Sequence, residues 1–370
     1  MPSISRFSFA VAVLCFAVLL QMTIAEEATT RVFVTGAAGF IGSHMILNLK
    51  TDPGTTVLGI DNFDLYYSVA LKRARAKNVR DATGVEIIDG DICNDKILQE
   101  IFKNNDFTHI VNLAAQPGVR YSFVNPMAYI RNNLQCFTTL LEAMRTQYGG
   151  KTGRPMPRLL YASSSSVYGI NKKVPFSESD EVLQPSNLYG ATKRANELIA
   201  HSYHHLFGIT TIGFRFFTVY GPWGRPDMAA YIFTKNILAN KTITMYNDGD
   251  NLRDFTYIDD IVSGLVSSVR RKEDDKWIVY NLGNSKPVST KYFLELLEKS
   301  LHRKASMRFE VSKAEMPVTY ANSTLAKVNL GFVAKTSIEE GLSKYMDWFR
   351  QHESSKMPCE SGCSKHDDFW

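Results

Sequence analysis

Cysteine is scarce in this chain. Five in 370 residues, scattered, are too few for a fold held by a disulfide framework. Cys15 lies near the start, Cys93 and Cys136 fall in the first half, and Cys359 and Cys363 close the chain. The final pair has only His352 and His366 nearby, on opposite sides. That is not the paired spacing of a zinc signature, and no metal site is expected. A local disulfide and two free thiols are both open readings there. Charge of one sign is lacking too: 42 basic against 37 acidic residues leave a net charge of +5. That balance suits an anionic small molecule and does not call for nucleic acid. The densest basic run, residues 72–80, reads as a solvated helix face. Repeats and low-complexity tracts do not occur.

Long apolar runs are absent but for one. Residues 7–20, broken only by Ser8, follow Arg6 and precede Thr23-Ile24-Ala25. The run is short for a spanning helix, which needs ~20 apolar residues. Residues 1–25 therefore read as a secretory signal peptide, or as an anchor left in place with the rest of the chain in the lumen. Either reading puts the protein in the secretory pathway, in the ER or Golgi lumen. Two glycosylation sequons, Asn240-Lys241-Thr242 and Asn322-Ser323-Thr324, accompany it.

What is present is an alternation of strand and helix. Apolar strands are expected at residues 31–35, 57–60, 85–88, 109–113, 158–162 and 210–216, with a return near 278–281. This is the pattern of an α/β protein with a Rossmann-type, doubly wound parallel sheet. After Pro222 the regularity weakens. The expected organisation is a nucleotide-binding domain over 30–221 with a returning segment at about 255–284. A smaller C-terminal substrate-binding lobe takes 222–254 and 285–350, and a polar tail takes 351–370.

Three motifs carry chemistry. Gly36-Ala37-Ala38-Gly39-Phe40-Ile41-Gly42 links the first strand to a helical pattern at residues 43–49. Glycine lets the backbone approach a pyrophosphate there, on helix N-terminal amides. Asp61 ends the second strand, where a carboxylate accepts from ribose hydroxyls and repels a 2′-phosphate, so NAD is favoured over NADP. Tyr189 and Lys193 stand one helical turn apart, and a nearby ammonium favours the phenolate of a tyrosine base. Upstream, Ser163-Ser164-Ser165-Ser166 end the fifth strand, where ligands bind in this kind of sheet.

Together with Asn62, Gly90-Asp91-Ile92, Leu113-Ala114-Ala115 and Arg253-Asp254-Phe255, these motifs resemble the extended short-chain dehydrogenase/reductase superfamily. The branch is that of the sugar-nucleotide epimerases and dehydratases, and the resemblance runs from Arg31 to about Arg350. It implies catalysis by Ser164, Tyr189 and Lys193. Gly36, Gly39, Phe40, Ile41, Gly42, Asp61, Asn62, Asp91, Ile92, Leu113, Ala114 and Ala115 would line the NAD site. Lys193 would also hold the nicotinamide ribose. Within the branch, dehydratases and decarboxylases carry acids beside the catalytic hydroxyl, whereas this chain has Ser165 and Ser166. The stretch Arg215-Phe216-Phe217-Thr218-Val219-Tyr220-Gly221-Pro222-Trp223-Gly224-Arg225-Pro226-Asp227-Met228 resembles the UDP-glucuronate 4-epimerases, as does Gly118-Val119-Arg120-Tyr121-Ser122.

That resemblance implies epimerisation of a UDP-sugar at C4, with UDP-glucuronate the expected substrate. UDP-glucose and UDP-N-acetylglucosamine are the alternative. Arg225, supported by Thr218, is the candidate clamp for the substrate carboxylate, Arg253 for the diphosphate, and Arg120, Ser164, Ser165 and Ser166 complete the substrate side. A relative that only binds NAD would be expected to lose Ser164, Tyr189 or Lys193, and all three are present. The chain departs from the family at Lys313-Ala314-Glu315-Met316-Pro317 and Ala321-Asn322-Ser323. Many members pair through two long helices, here residues 128–146 and 189–206, so a homodimer is expected. Tyr129, Leu134, Phe137, Leu140 and Leu141 form an apolar stripe that either faces a partner or is buried within the subunit.

Overall fold

The computed structural model describes residues 30–150, 152–271, 276–311 and 316–354. The expected leader, Cys15, Cys359, Cys363, His366 and residues 313–315 lie outside them. The first half alternates as expected: β1 (Thr30–Thr35), α1 (Phe40–Leu49), β2 (Thr55–Asp61), α2 (Val69–Thr83), β3 (Ile87–Asp89), α3 (Asp95–Lys103) and β4 (His109–Asn112). A short helix over Pro126–Tyr129 then widens into a π-helical turn, Ile130–Gln135, and continues as α4 (Cys136–Gln147). β5 (Arg158–Ser164), α5 (Leu188–Phe207), β6 (Thr211–Phe216) and β7 (Thr218–Tyr220) follow. Next come α6 (Ala229–Leu238), β8 (Ile243–Tyr246), β9 (Leu252–Arg253), β10 (Phe255–Tyr257), α7 (Ile258–Arg270) and β11 (Trp277–Leu282).

Seven strands form one sheet in the order β11-β6-β5-β4-β1-β2-β3. Every pairing in it is parallel. Parallel strands covered by helices on both faces read as unbroken apolar runs, and Val32, Phe33 and Val34 are accordingly fully buried. The strand order reverses between β1 and β4. A crevice opens there at the strand ends, which puts the turns after β1 and β4 side by side.

Several boundaries differ from the sequence reading. α1 starts at Phe40 rather than Ser43, because Gly39 is its N-cap. β5 runs on to Ser164, so Ser163 and Ser164 belong to the strand, and Ser165–Tyr168 makes a 3₁₀ turn. The helix expected over 128–146 is interrupted by its π-helical turn, whose cause is Asn133. Its side chain exchanges hydrogen bonds with the backbone of Gln116 (2.7 and 3.1 Å), and its carbonyl accepts from Asn196 Nδ2 at 2.6 Å. A wide turn frees such a carbonyl. The apolar stripe does not face a partner. Tyr129, Phe137, Leu140 and Leu141 are buried inside the subunit, and Leu134 is half-buried.

The remaining elements are β12 (Val288–Ser289), α8 (Thr290–Leu301), β13 (Met307–Glu310), β14 (Val318–Thr319), α9 (Thr324–Leu330) and α10 (Ile338–Ser354). Residues 351–354 thus continue a helix instead of opening the tail. β7 pairs with β10, β8 with β13, and β9 lies between β12 and β14. One buried cluster runs from Val32 and Val34 of β1 through α7 to Tyr345 and Phe349 of α10. The C-terminal elements therefore share the core of the main sheet. Among the described residues no helix is long and apolar enough to cross a membrane.

Candidate active site

The turn after β1 is shaped by what a side chain would strike. Gly36 has φ +65°, and a Cβ there would fall 2.7 Å from Ala114 N. A Cβ on Gly42 would fall 2.1 Å from the Gly36 carbonyl oxygen. The turn therefore packs directly on the β4 loop. α1 begins with no side-chain cap and no acid in its first turn, so its dipole meets the cleft uncompensated. Asp61 closes the other side. Its carboxylate accepts from Ala38 N at 3.0 Å and from Phe63 N at 2.8 Å, and burial holds its pKa above the usual carboxylate value. It thus fixes the glycine loop and lines the cleft.

Asp91 is anchored by the Cys93 amide (2.8 Å) and by Arg131 (2.8 Å). Burial opposes its ionisation, but these bonds win and its pKa is lowered. Next to it Cys93 and Cys136 form a disulfide with Cα atoms 4.3 Å apart, a pairing that the sequence reading did not make. It ties the turn after β3 to the start of α4.

The three residues expected to be catalytic sit on β5 and α5. Asn187 caps α5 by accepting from Gly190 N at 2.8 Å, which sets Tyr189 in the first turn. A Cβ on Gly190 would lie 2.5 Å from the Ser166 carbonyl oxygen, so helix and serine turn touch closely. The Ser164 hydroxyl lies beside the Tyr189 phenol in the cleft. Burial raises the phenol's pKa, while Ser164 and the charge of Arg225 lower it and the charge of Asp227 raises it. Lys193 donates to the Ala162 carbonyl at 3.0 Å, and burial brings its pKa down to about 8. Arg225 is one cation that favours the phenolate here.

Behind these residues lies a network with no sequence signal of its own. Glu197, fully buried on α5, takes Arg215 of β6 in a bidentate pair (2.8 and 2.8 Å) and accepts from Ser163 Oγ at 2.6 Å. Arg215 also reaches the Tyr168 hydroxyl at 3.0 Å.

At the substrate end, Thr218 and Arg225 line the cleft with Ser164, Ser165 and Ser166. Arg225 pairs with Asp227, Nε to Oδ1 at 2.9 Å and Nη2 to Oδ2. Burial opposes its charge, yet that pairing raises its pKa further. The loop that presents it is tense: Trp223 has φ +60°, which a bulky residue adopts only when held there. Arg75 of α2 holds it, donating to the carbonyls of Trp223 (3.0 and 2.7 Å), Gly224 (3.1 Å) and, in the glycine turn, Ala38 (3.3 Å).

Every expected cofactor residue lines one cleft of about 410 Å³, and so do the three residues expected to be catalytic and five of the seven substrate candidates. Arg120 and Arg253 do not line it. Arg120 lies over the Tyr246 ring, 5.4 Å from its centroid. Arg253 donates to the carbonyls of Leu252 (3.0 Å) and Met316 (2.7 Å), which braces the strands of the lobe. The cleft also contains residues that were not foreseen, including Tyr66, Lys72 and Gln116. Gln116 Nε2 is buried and has no hydrogen-bond partner among the described residues, a donor suited to a ligand.

A glycine turn on a helix N-terminus, a strand-end aspartate and a Ser-Tyr-Lys trio around one cleft define a nucleotide-dependent oxidoreductase-type site. Residues 32–283 match the NAD dependent epimerase/dehydratase family, and the chain belongs to it. It is 44% identical over 334 residues to UDP-glucuronate 4-epimerase 1 of Arabidopsis thaliana, covering 86% of this chain and 76% of that protein. Its structure resembles that of UDP-glucuronic acid 4-epimerase from Bacillus cereus in complex with UDP-glucuronic acid and NAD. The TM-score is 0.80 at 33% identity, over 87% of this chain and 100% of that one. MoeE5 in complex with UDP-glucuronic acid and NAD is similar at a TM-score of 0.75 and 31% identity, over 87% of this chain and 99% of that one.

Proposed function

We propose that this chain interconverts UDP-glucuronate and UDP-galacturonate by NAD-dependent epimerisation at C4. The observation that carries the reading is Arg225, half-buried in the same cleft as Ser164 and Tyr189, with Ser165 and Ser166 where an acid would serve elimination. The residues fit NAD. The first-turn amides of α1 would hold its pyrophosphate and Asp61 its ribose hydroxyls, and Gly36 and Gly42 leave the room a Cβ would take. Bound NAD supplies the hydride acceptor at C4 and gives the hydride back.

The chain's own residues do the rest. Tyr189 takes the C4 hydroxyl proton and Ser164 shares that hydrogen bond. Lys193 holds the nicotinamide ribose. The resulting 4-keto sugar carries its carboxylate on C5 and is a β-keto acid prone to lose carbon dioxide. Arg225 pairs with that carboxylate as a charged fork and holds it in place while the ring turns its other face.

Arg225→Ala separates this reading from a general sugar-nucleotide epimerase. Epimerisation of UDP-glucuronate should slow ~10²-fold, with some UDP-pentose formed by decarboxylation, while UDP-glucose turnover suffers far less. Equal losses on both substrates would remove the carboxylate clamp.

We also propose a lumenal setting and a homodimer. The apolar run at residues 7–20 and the Cys93–Cys136 disulfide support the first. Asn240, exposed in a left-handed turn after α6, adds a reachable sequon. Exposed apolar residues on α5 support the second.

A further inference from the structure

Asp227 was not foreseen as a site residue, yet three loops close around it. Its side chain is 4% exposed and takes the Nε–Nη2 edge of Arg225. The Tyr66 hydroxyl, from the loop after β2, donates to Asp227 Oδ2 at 3.1 Å. Gly118, from the loop after β4, has φ +87°. A Cβ there would stand 2.8 Å from the Tyr66 oxygen, 3.5 Å from Asp227 Oδ2 and 3.7 Å from Arg225 Nη2. The Gly118 carbonyl is itself fixed by the Tyr129 hydroxyl at 2.5 Å.

A guanidinium offers a carboxylate two-pronged edges, and one edge of Arg225 is taken. We propose that Asp227 is a positioning residue: with Tyr66 it fixes which part of Arg225 a uronate carboxylate meets, and it tempers the positive charge felt at Tyr189. The inference rests on the reading that Arg225 receives the substrate carboxylate. Its second half follows from the surroundings of the phenol. Tyr189 faces Ser164 from β5, Tyr129 from the short helix before the π-helical turn, Lys193 on its own helix, and Arg225 and Asp227 from the loop after β7. Arg225 draws the phenol toward the phenolate and Asp227 opposes it. The two sit as one near-neutral couple.

The test uses the full-length protein with UDP-glucuronate and compares wild type, Asp227→Asn, Asp227→Glu and Tyr66→Phe. Asp227→Asn should lower kcat ~10-fold or more through a misplaced fork, and raise the share of decarboxylated pentose. Removing the negative charge also lowers the Tyr189 pKa. The acid limb of the kcat profile, which requires the phenolate, should therefore move to lower pH. Asp227→Glu should bring the limb back. Tyr66→Phe, which keeps the ring, should lower kcat several-fold and serves if Asp227→Asn does not fold. A kcat loss in Asp227→Asn with the limb unmoved would reduce Asp227 to a structural role and overturn the inference, as would wild-type behaviour in Asp227→Asn or Tyr66→Phe. A wild-type enzyme inactive on UDP-glucuronate fails the activity itself, visible before any variant is made, and removes the inference with it.

Discussion

Lys193 is buried with a single carbonyl, Ala162 O, holding its ammonium, and its pKa falls from 10.5 to about 8. Below that value both folded and unfolded chains carry the proton, and the full cost of burying it is present. Between about 8 and 10.5 the unfolded chain keeps the proton and the folded one releases it. This contribution to stability therefore rises with pH across that window. The unfolding free energy of nucleotide-stripped wild type, measured in urea, should climb from pH 8 to 10 relative to Lys193→Met. A difference that stays flat would contradict the burial argument. The spacing of Tyr189 and Lys193 made the pair legible, because four residues are one turn. Which charges reach the phenol was not legible. Arg225 and Asp227 arrive from a loop whose path depends on Arg75 and the left-handed Trp223, and no local pattern marks that.

The elements that matter most are tied by groups far apart in sequence. Glu197 of α5 and Arg215 of β6 form a buried pair that also holds Ser163 of β5, so one carboxylate joins the helix of Tyr189 and Lys193 to the strand end of Ser164. Burial alone would raise the Glu197 pKa, but the Arg215 bonds lower it. The stability it lends is present at neutral pH and fades as pH falls through that lowered value. Arg215→Met leaves a buried carboxylate held by the Ser163 hydroxyl and the half-exposed Arg194 (2.9 Å), and should cost ~3–5 kcal/mol in urea unfolding; adding Glu197→Leu should recover much of it. A loss below ~1 kcal/mol in the single variant would contradict the reading. The strands themselves were readable, since both-face burial makes them continuous apolar runs. The π-helical turn was not. It depends on Asn133 pairing with Gln116 and Asn196, and helical periodicity carries no sign of it.

At the scale of the whole molecule, the fold class followed from the order of strands, glycine turns and helices. The shared core did not, because α10 returns more than a hundred residues later to pack beside Trp223. The apolar stripe on α4 went inward, yet α5 leaves Leu198, Leu206 and Phe207 exposed, at 53%, 66% and 42%. Leu198 and Leu206 share one helical face, a surface suited to a second copy. Light scattering at micromolar concentration should give twice the 41.7 kDa of one chain, or less by the mass of any cleaved leader; a monomer would contradict this. The central claim is the reaction. Purified protein incubated with UDP-glucuronate, with no NAD added, should yield UDP-galacturonate on chromatographic separation of the products, and should convert UDP-glucose far more slowly. UDP-glucose turned over as fast as UDP-glucuronate, or a pentose as the main product, would contradict the account.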